Sequence, residues 1–212
     1  MALKNIGNRG LLLTQSVLLY YVNLENTMNI FVLDYHPVAA AKQQCDKHIV
    51  KMILESAQML STAHRILDGS KTKIKSKSGK RIVDGWSLSD NMDNVIYKAV
   101  HTKHPCTIWT MESIANYKWH YEHFVALCEE YTYRYGKVHG TDTKLRDILK
   151  TPPTNIPNKS LTPFKLAMGV APQCINHMDP VGSYRSFYQT KQERFKMTWT
   201  KRQVPTWFKV AA

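Results

Sequence analysis

One amphipathic stretch in the first third of the chain most constrains the fold. Apolar residues recur there at three- and four-residue intervals, at Ile49, Ile53, Ala57 and Leu60. This period is that of an α-helix with one face turned to a core. The spacing predicts a helix from Asp46 to about His64, with Asp46 placed to cap its N-terminus.

Two further helices and one break complete a mainly helical pattern. A helix is predicted from about Thr107 to Tyr135, where Gly136 is placed to end it. The segment from Thr151 to Pro163 contains four prolines in thirteen residues, which excludes a continuous helix. A last helix is predicted from about Pro180 to Trp199. The predicted fold class is therefore mainly α, a single compact helical domain with one inserted basic loop or short hairpin.

Size and charge narrow the function classes. The 212 residues suffice for one domain with a core but are few for two domains of ordinary size. The chain carries 29 Lys and Arg against 16 Asp and Glu, a formal charge of +13. Such an excess favours a nucleic acid as partner, although a ribosomal or membrane surface would attract the same charge. The four cysteines form no CxxC pair, which favours reduced, packed thiols over a zinc ribbon or a disulfide framework.

The first 27 residues differ from the rest of the chain. Lys4 and Arg9 precede the apolar run LLLTQSVLLYYV, as in a signal peptide, yet no small-residue cleavage site follows and the run is too short to span a bilayer. A start codon upstream of the true one would leave the same pattern. From Met28 the chain continues with the compact apolar stretch NIFVLD. Residues 1–27 are therefore interpreted as an appendage outside the fold, and residues 28–212 as the folded domain.

A basic segment from Gly69 to Gly85 separates the first two predicted helices. It has little apolar content and a Ser-Gly pair flanked by alternating residues, which predicts a mobile loop or a short hairpin. Its six positive charges, which are expected to contact DNA phosphates, are Lys71, Lys73, Lys75, Lys77, Lys80 and Arg81.

Three polar residues of the first helix are candidates for chemistry. A seven-residue spacing returns His48 and Glu55 to one side of the helix, roughly 10 Å apart, and Asp46 precedes them. Met52 and Met59 lie along the same side. A carboxyl group between apolar neighbours can have a raised pKa and act as a general acid or base. The alternative is an ordinary amphipathic helix with a solvated Glu55 and a hydrogen-bonded His48.

Histidines and cysteines recur in three short stretches, HTKHPC, WHYEHF and CDKH, that could supply zinc ligands. Their spacings match no zinc-finger pattern, and neither H-E-x-x-H nor H-x-E followed by P-C-x-x-C occurs. No metal and no cofactor is therefore predicted. A zinc-dependent enzyme, the least favoured class, would require convergence of His101, His104, His120 or His123.

The C-terminal tail mixes basic and aromatic residues, as nucleic-acid-binding surfaces do. The cations are expected to contact phosphates. For the tryptophans, pinning the tail to the core is favoured over stacking on a base. The predicted DNA-binding residues of the tail are Lys201, Arg202, Trp207 and Lys209.

Two motifs together resemble a known family. The first is MNIF followed by CDKHIVKMILESAQML, and the second is PTWFK near the C-terminus. Their layout is similar to that of the phage pyrimidine-dimer DNA glycosylases of the endonuclease V type. In that family a helix carries Asp-x-His and a catalytic Glu seven residues after the His. The stretches HPCTIW and YGKVHG also look like those of uncharacterised phage proteins.

The resemblance implies roles for individual residues. Glu55 would take the catalytic position, and His48 would orient Glu55 or a phosphate. The family attacks the sugar C1′ with its own N-terminal amine, which here implies an amine at Met28. The chain departs from the family pattern because Leu54 and Gln58 stand where the family places arginines.

These patterns together predict a DNA-binding protein of phage or viral type. The expected activity is that of a base-excision DNA glycosylase and AP lyase acting on damaged or modified bases in duplex DNA. A non-catalytic nucleic-acid-binding accessory protein is the principal alternative. No stable membrane partner is expected, and the expected location is the cytoplasm, that of the host cell if the protein is viral.

Overall fold

The computed structural model describes residues 28–76, 78–89 and 91–210. These residues are mainly α-helical, with one two-stranded antiparallel sheet. No helix among them is long and apolar enough to cross a membrane. In chain order the elements are α1 (Pro37–Lys42), α2 (Asp46–Asp68), β1 (Ser70–Lys75), β2 (Ile82–Ser87), α3 (Met92–Val95), α4 (Pro105–Glu112), α5 (Ile114–Tyr135), α6 (Gly140–Leu149), a 3-10 turn (Pro172–Cys174), α7 (Pro180–Gln189) and a second 3-10 turn (Thr190–Glu193). The predicted appendage, residues 1–27, lies outside the described residues.

The core forms where α2 packs against α4, α5 and α6. Ile49, Ile53, Ala57 and Leu60 are all fully buried, which confirms the predicted core-facing stripe of the first helix. Burying each of the larger side chains contributes about 1.5–3 kcal/mol relative to leaving it in water. The four cysteines are buried and free, as predicted.

The boundaries of α2 differ from the prediction at both ends. The helix begins after Cys45, so Asp46 is its first residue and not its cap. The Asp46 carboxylate accepts hydrogen bonds from the Thr200 amide and the Arg134 guanidinium, and these distant partners take it away from its own helix end. At the other end α2 runs on to Asp68. Gly69 follows because a Cβ there would lie 2.4 Å from the Arg65 carbonyl oxygen.

The second predicted helix is in fact two helices, α4 and α5, separated at Ser113. The Ser113 backbone is extended, with φ −156° and ψ 157°, and its hydroxyl accepts a hydrogen bond from the Asn116 amide at 3.0 Å. Serine is a favoured N-cap because its side chain satisfies such an orphan donor. The Asn116 side chain in turn donates to the Trp109 carbonyl oxygen at 2.7 Å, across the break. The apolar spacing continues past Ser113, so periodicity alone did not reveal the break.

The last predicted helix is wrong over its second half. α7 ends at Gln189, one 3-10 turn follows, and residues 196–199 are neither helical nor in a strand. This non-helical backbone lets the Thr198 carbonyl oxygen accept the Asp46 amide at 2.8 Å. The Trp199 indole also donates to the Gln43 carbonyl oxygen at 2.9 Å. Contacts with the start of α2 therefore override the local helical pattern.

The basic segment folds as a hairpin, one of the two predicted alternatives. β1 and β2 pair antiparallel from Ser70 opposite Ser87 to Lys75 opposite Ile82. The connecting turn includes Gly79 at φ 71°, a left-handed conformation that glycine adopts without steric cost. The proline-rich segment 151–163 contains no helix, as predicted.

A buried arginine attaches the hairpin to the helices. The Arg65 guanidinium on α2 is fully buried and donates to the Trp86 carbonyl oxygen of β2 at 2.9 Å. It also donates to the Asp93 carboxylate at 2.6 Å and to the carbonyl oxygens of Asp93, Ile96 and Tyr97. Its charge is thereby paired and its donors are satisfied, as a buried guanidinium requires.

Candidate active site at Glu55

Glu55 lies on the buried side of α2, together with His48, Met52 and Met59. The residue is only 7% exposed, so the alternative of a solvated glutamate is wrong. Its Oε2 accepts the backbone amide of Asn29 at 3.1 Å, and its Oε1 lies 3.0 Å from Nζ of Lys51, one helical turn earlier. Burial raises the pKa of the Glu55 carboxyl, and the Lys51 ammonium and the Asn29 amide only partly oppose that rise.

The segment that follows Met28 is fixed against this carboxyl group. Met28 itself is buried, and Asn29 is 4% exposed. The Asn29 side chain donates to the Ala167 carbonyl oxygen at 2.9 Å, while its own oxygen accepts the amides of Ile30 and Phe31. A buried amide side chain with three such bonds has little freedom to move. The nitrogen of Asn29 is consequently held in place beside Glu55.

Phe31 adopts an unusual backbone conformation two residues further on. Its φ is 54°, in the left-handed region that a bulky residue rarely enters. Its ring stacks on the imidazole of His48 at a centroid distance of 4.7 Å and meets the Tyr188 ring edge-on at 5.1 Å. These ring contacts hold the strained residue in place, and such strain is often found near functional sites.

His48 bonds to Tyr188 and not to Glu55. Its Nδ1 lies 2.6 Å from the hydroxyl of Tyr188, which also accepts the Cys45 amide at 2.8 Å. Within the described part of the chain, no hydrogen bond joins His48 to Glu55. Burial, with the nearby charges of Lys191 and Lys51, lowers the pKa of His48 to about 3. The imidazole is therefore neutral at pH 7, and its contacts are those of a packed, orienting residue.

Asp46 fastens the tail to α2. Its carboxylate accepts the hydroxyls of Thr198 and Thr200 at 2.8 Å, in addition to the Thr200 amide and Arg134. Burial alone would raise the pKa of Asp46, but these hydrogen bonds hold it below its ordinary value. The Asp-x-His pair thus consists of two supporting residues, with different partners, ahead of Glu55.

Of the tail residues predicted to bind DNA, two have partners within the protein and two are exposed. The Arg202 guanidinium is committed to the Glu130 carboxylate, with bonds of 2.8 and 2.9 Å, and Arg134 bonds the same carboxylate. Trp207 is half-buried and its indole donates to the Gln43 side chain at 2.5 Å, which is the pinning role favoured from the sequence. Lys201 and Lys209 are exposed, although Lys201 Nζ donates to the Tyr133 carbonyl oxygen at 2.9 Å.

The predicted basic residues of the hairpin lie apart from Glu55. Glu55 is fourteen residues before Gly69, or roughly 20 Å along the axis of α2. Lys71 and Lys73 both pair with Asp84, at 2.9 and 2.6 Å. The other cations, Lys75, Lys80 and Arg81, are exposed, and Lys77 lies outside the described residues.

The histidines do not assemble a metal site. In residues 28–210, leaving aside 77 and 90, no three His, Cys, Asp or Glu side chains form a group that could hold a metal ion. His120 and His123 are buried in α5, where Nδ1 of His120 bonds the Thr110 hydroxyl at 2.8 Å and Nε2 of His123 lies 3.2 Å from the Ile30 carbonyl oxygen. His104 caps α4 through its contact with the Cys106 amide.

Two residues of the site had no clear signal in the sequence. Tyr188 reaches His48 from 140 positions away, and nothing in its local pattern distinguishes it from other core aromatics. Phe31 belongs to an apolar run whose pattern carries no indication of a positive φ.

Comparisons of the chain with protein-family models, with curated proteins and with solved structures found no match.

Proposed function

We propose that the chain is a DNA-binding protein that acts as a DNA glycosylase and AP lyase on damaged or modified bases. The observation that carries the proposal is the position of the Asn29 nitrogen, 3.1 Å from the buried carboxyl group of Glu55. The family resemblance assigns an amine to the start of this segment and the catalytic role to Glu55. The proximity of the first nitrogen after Met28 to the Glu55 carboxyl group supports this assignment.

The chemistry requires a free amine next to a carboxyl group. The amine nitrogen forms a bond to C1′ of the target nucleotide, and the base departs with the electrons of the glycosidic bond. A protonated Glu55 can supply the proton that the departing base needs, and its raised pKa favours that form. The attached nitrogen loses one proton, and its lone pair forms the C1′=N bond of the Schiff base as the C1′–O4′ bond breaks and O4′ takes up a proton. The Glu55 carboxylate then takes a proton from C2′, and the 3′ phosphate leaves with the electrons of the C3′–O bond, which cleaves the strand. Water releases the product and restores the amine.

Two groups of this chain can provide the amine. In a chain that starts at Met28, the α-amine precedes the Asn29 nitrogen by one residue. If Met28 is also removed, the α-amine takes the place of that nitrogen beside Glu55, although Asn29 is a poor context for methionine removal. The second group is Lys51, whose Nζ lies 3.0 Å from Glu55 and is present whatever the start site. Lys47, the other lysine considered from the sequence, points its ammonium at the Phe195 ring, 4.7 Å from the centroid.

Borohydride trapping on DNA with an abasic site tests the proposal. Chains that start at Met1, at Met28 and at Asn29 are compared, each with and without Lys51→Arg, which keeps the charge but removes the reactive amine. If the α-amine is the nucleophile, only the shorter chains are trapped, and Lys51→Arg changes nothing. If Lys51 is the nucleophile, all three chains are trapped and Lys51→Arg abolishes the adduct.

Glu55→Gln is the companion variant. It removes the acid with little change in volume, so turnover is expected to fall by about 10²–10⁴-fold while DNA binding is retained. Glu122→Gln, at a surface position of α5, is the control and should leave turnover unchanged. The absence of any adduct on abasic, dimer-containing or modified DNA would refute the glycosylase and lyase activity.

The second candidate function is a non-catalytic nucleic-acid-binding accessory protein. The contacts that favour it are the same ones, because the Asn29 amide and the Lys51 ammonium satisfy both carboxylate oxygens of Glu55. In that case Glu55 would fasten the start of the folded segment to α2. Glu55→Gln would then lower thermal stability, and no chain would form a covalent adduct.

A further inference from the structure

The hairpin presents two faces of different character. Side chains alternate between faces along a strand, and the pairing of β1 with β2 fixes which residues share a face. One face carries Thr72 and Ile74 with Gly85 and Val83, and Ile74 packs closely over the glycine, since a Cβ at Gly85 would lie 2.7 Å from its Cδ1. The opposite face, here called the lysine face, carries Lys71, Lys73, Lys75, Ile82, Asp84 and Trp86.

The lysine face is open to solvent along its length. The Lys71 and Lys73 side chains are 61% and 73% exposed, and Ile82 near the turn is 64% exposed. Trp86 is half-buried at the base, with Lys71 Nζ 5.8 Å from its ring centroid. The apolar Ile82 side chain therefore lies in solvent on the same face as the three lysines. The lysine face thus combines cations, which can bind phosphates, with apolar side chains, which can pack against bases.

Its dimensions match a groove of duplex DNA. Three lysines at every second position of a strand span about 13 Å, because each residue adds about 3.3 Å. The major groove of B-DNA is about 12 Å wide and admits a two-stranded ribbon. The lysines of β1 can then reach the phosphates on both sides of the groove while side chains of β2 on the same face turn to the base edges.

We propose that the lysine face of the β1–β2 hairpin enters the major groove of duplex DNA. Lys71 and Lys75 contact phosphates on opposite sides of the groove, and Lys73 contacts a third phosphate. Ile82 packs against base edges near the hairpin turn. Asp84 lies between the cations and restrains Lys71 and Lys73 until phosphate replaces it. This inference rests on the DNA-binding part of the proposed function and does not depend on catalysis at Glu55.

The first experiment compares two variants that change the charge equally. Lys71, Lys73 and Lys75 are replaced by Gln in one protein, and the exposed Lys118, Lys137 and Lys150 of α5 and its neighbours are replaced by Gln in the other. Binding to a short duplex is measured at several salt concentrations. Because each phosphate contact contributes about −0.9 to the slope of log affinity against log salt, the hairpin variant should lose roughly 2–3 units of slope. The control variant should keep nearly the full slope.

The second experiment measures duplex binding by the variant Asp84→Asn. If Asp84 and its two lysines served only to stabilise the hairpin, this substitution would not increase the affinity for DNA. The substitution removes one negative charge near the phosphates and releases both lysines. At low salt it should tighten duplex binding by roughly threefold, the effect of one unit charge about 7 Å from a phosphate in water. Circular dichroism of each variant establishes that the fold is retained.

Groove-specific competitors test the location. Methyl green, which occupies the major groove, should displace the protein, whereas netropsin, which occupies the minor groove, should not. Displacement by netropsin alone, or equal salt slopes for the hairpin and control variants, would overturn the assignment while leaving DNA binding intact. A parent chain that binds no duplex at any salt concentration would overturn both this inference and the proposed function.

Discussion

Glu55 and the hairpin lysines all have ionisable side chains, but Glu55 lies in the core and the lysines lie in solvent. Glu55 is 7% exposed, and both of its oxygens have partners from different parts of the chain. The Lys73 side chain is 73% exposed and shares one surface aspartate with Lys71. A buried charge alters the stability of the fold and its own pKa, whereas an exposed charge mainly alters what approaches the surface. The two regions should therefore respond differently to substitution and to pH.

The largest loss of stability is expected at the junction between the two regions. Arg65→Met removes a fully buried guanidinium and leaves Asp93 and four carbonyl oxygens with fewer donors. Asp93 itself is 25% exposed, so the loss comes mainly from the acceptors that are left without a donor. Because each unsatisfied acceptor costs about 1–3 kcal/mol, the unfolding free energy should fall by several kcal/mol, measurable by urea denaturation.

The matched control for Arg65 uses the same aspartate. Lys98 lies 3.5 Å from Asp93, but its side chain is 63% exposed. Lys98→Met should cost less than about 1 kcal/mol, since exposed ion pairs are weak. An equal loss of unfolding free energy in the Arg65 and Lys98 variants would show that the burial of Arg65 does not make it more important for stability than the exposed Lys98.

The second largest effect is expected from acid, which should lower the unfolding free energy through buried histidines of the core. The pKa values of His48 and His123 are lowered by burial to about 3, from an ordinary value of 6.5. Between these limits the unfolded chain binds more protons than the folded chain, so the stability that is fully present above pH 6.5 is lost as pH falls toward 3. Each histidine contributes up to about 1.4 kcal/mol per pH unit in that window.

Substitution of a single histidine checks this contribution. His48→Gln should flatten the decline in unfolding free energy between pH 6.5 and 5, whereas replacing the exposed His177 by Gln should not. An unchanged decline in the His48 variant would contradict the account of a neutral, buried imidazole.

The sequence predicted the elements near Glu55 better than their ends. The apolar stripe of α2 follows from helical spacing, which is a local property, and so does the placement of His48 and Glu55 on one side. The failures at Ser113 and after Gln189 have a different origin. In both places contacts with residues more than forty positions away accompany the end of the helix. Near Ser113, the Asn116 side chain donates to the Thr162 hydroxyl, and after Gln189, the Thr198 hydroxyl donates to the Asp46 carboxylate. Such contacts are not encoded in a local period.

The candidate site shows the same division between local and distant information. Glu55 was identified from its neighbours on one helix. Its partner Asn29, however, comes from the segment after Met28. Side chains of α7 contact Phe31 of that segment and His48, and only the fold brings these parts of the chain to α2. The hairpin was foreseen as one of two alternatives because its charge and turn residues are local. The pairing of two lysines with Asp84 depended on the strand register, which the sequence left open.

The smallest effect on stability is expected for Lys73→Gln. The pair it breaks lies on the surface, and Lys71 still occupies the other oxygen of Asp84. Because solvent screens such pairs, the thermal midpoint should move by no more than about 2 °C, as with Lys118→Gln on α5. The same variant should weaken duplex binding at low salt and reduce the salt slope by about 0.9. A loss of stability as large as that of Arg65→Met would show instead that the lysine face holds the hairpin together. The exposure of Lys73 would then say nothing about a partner.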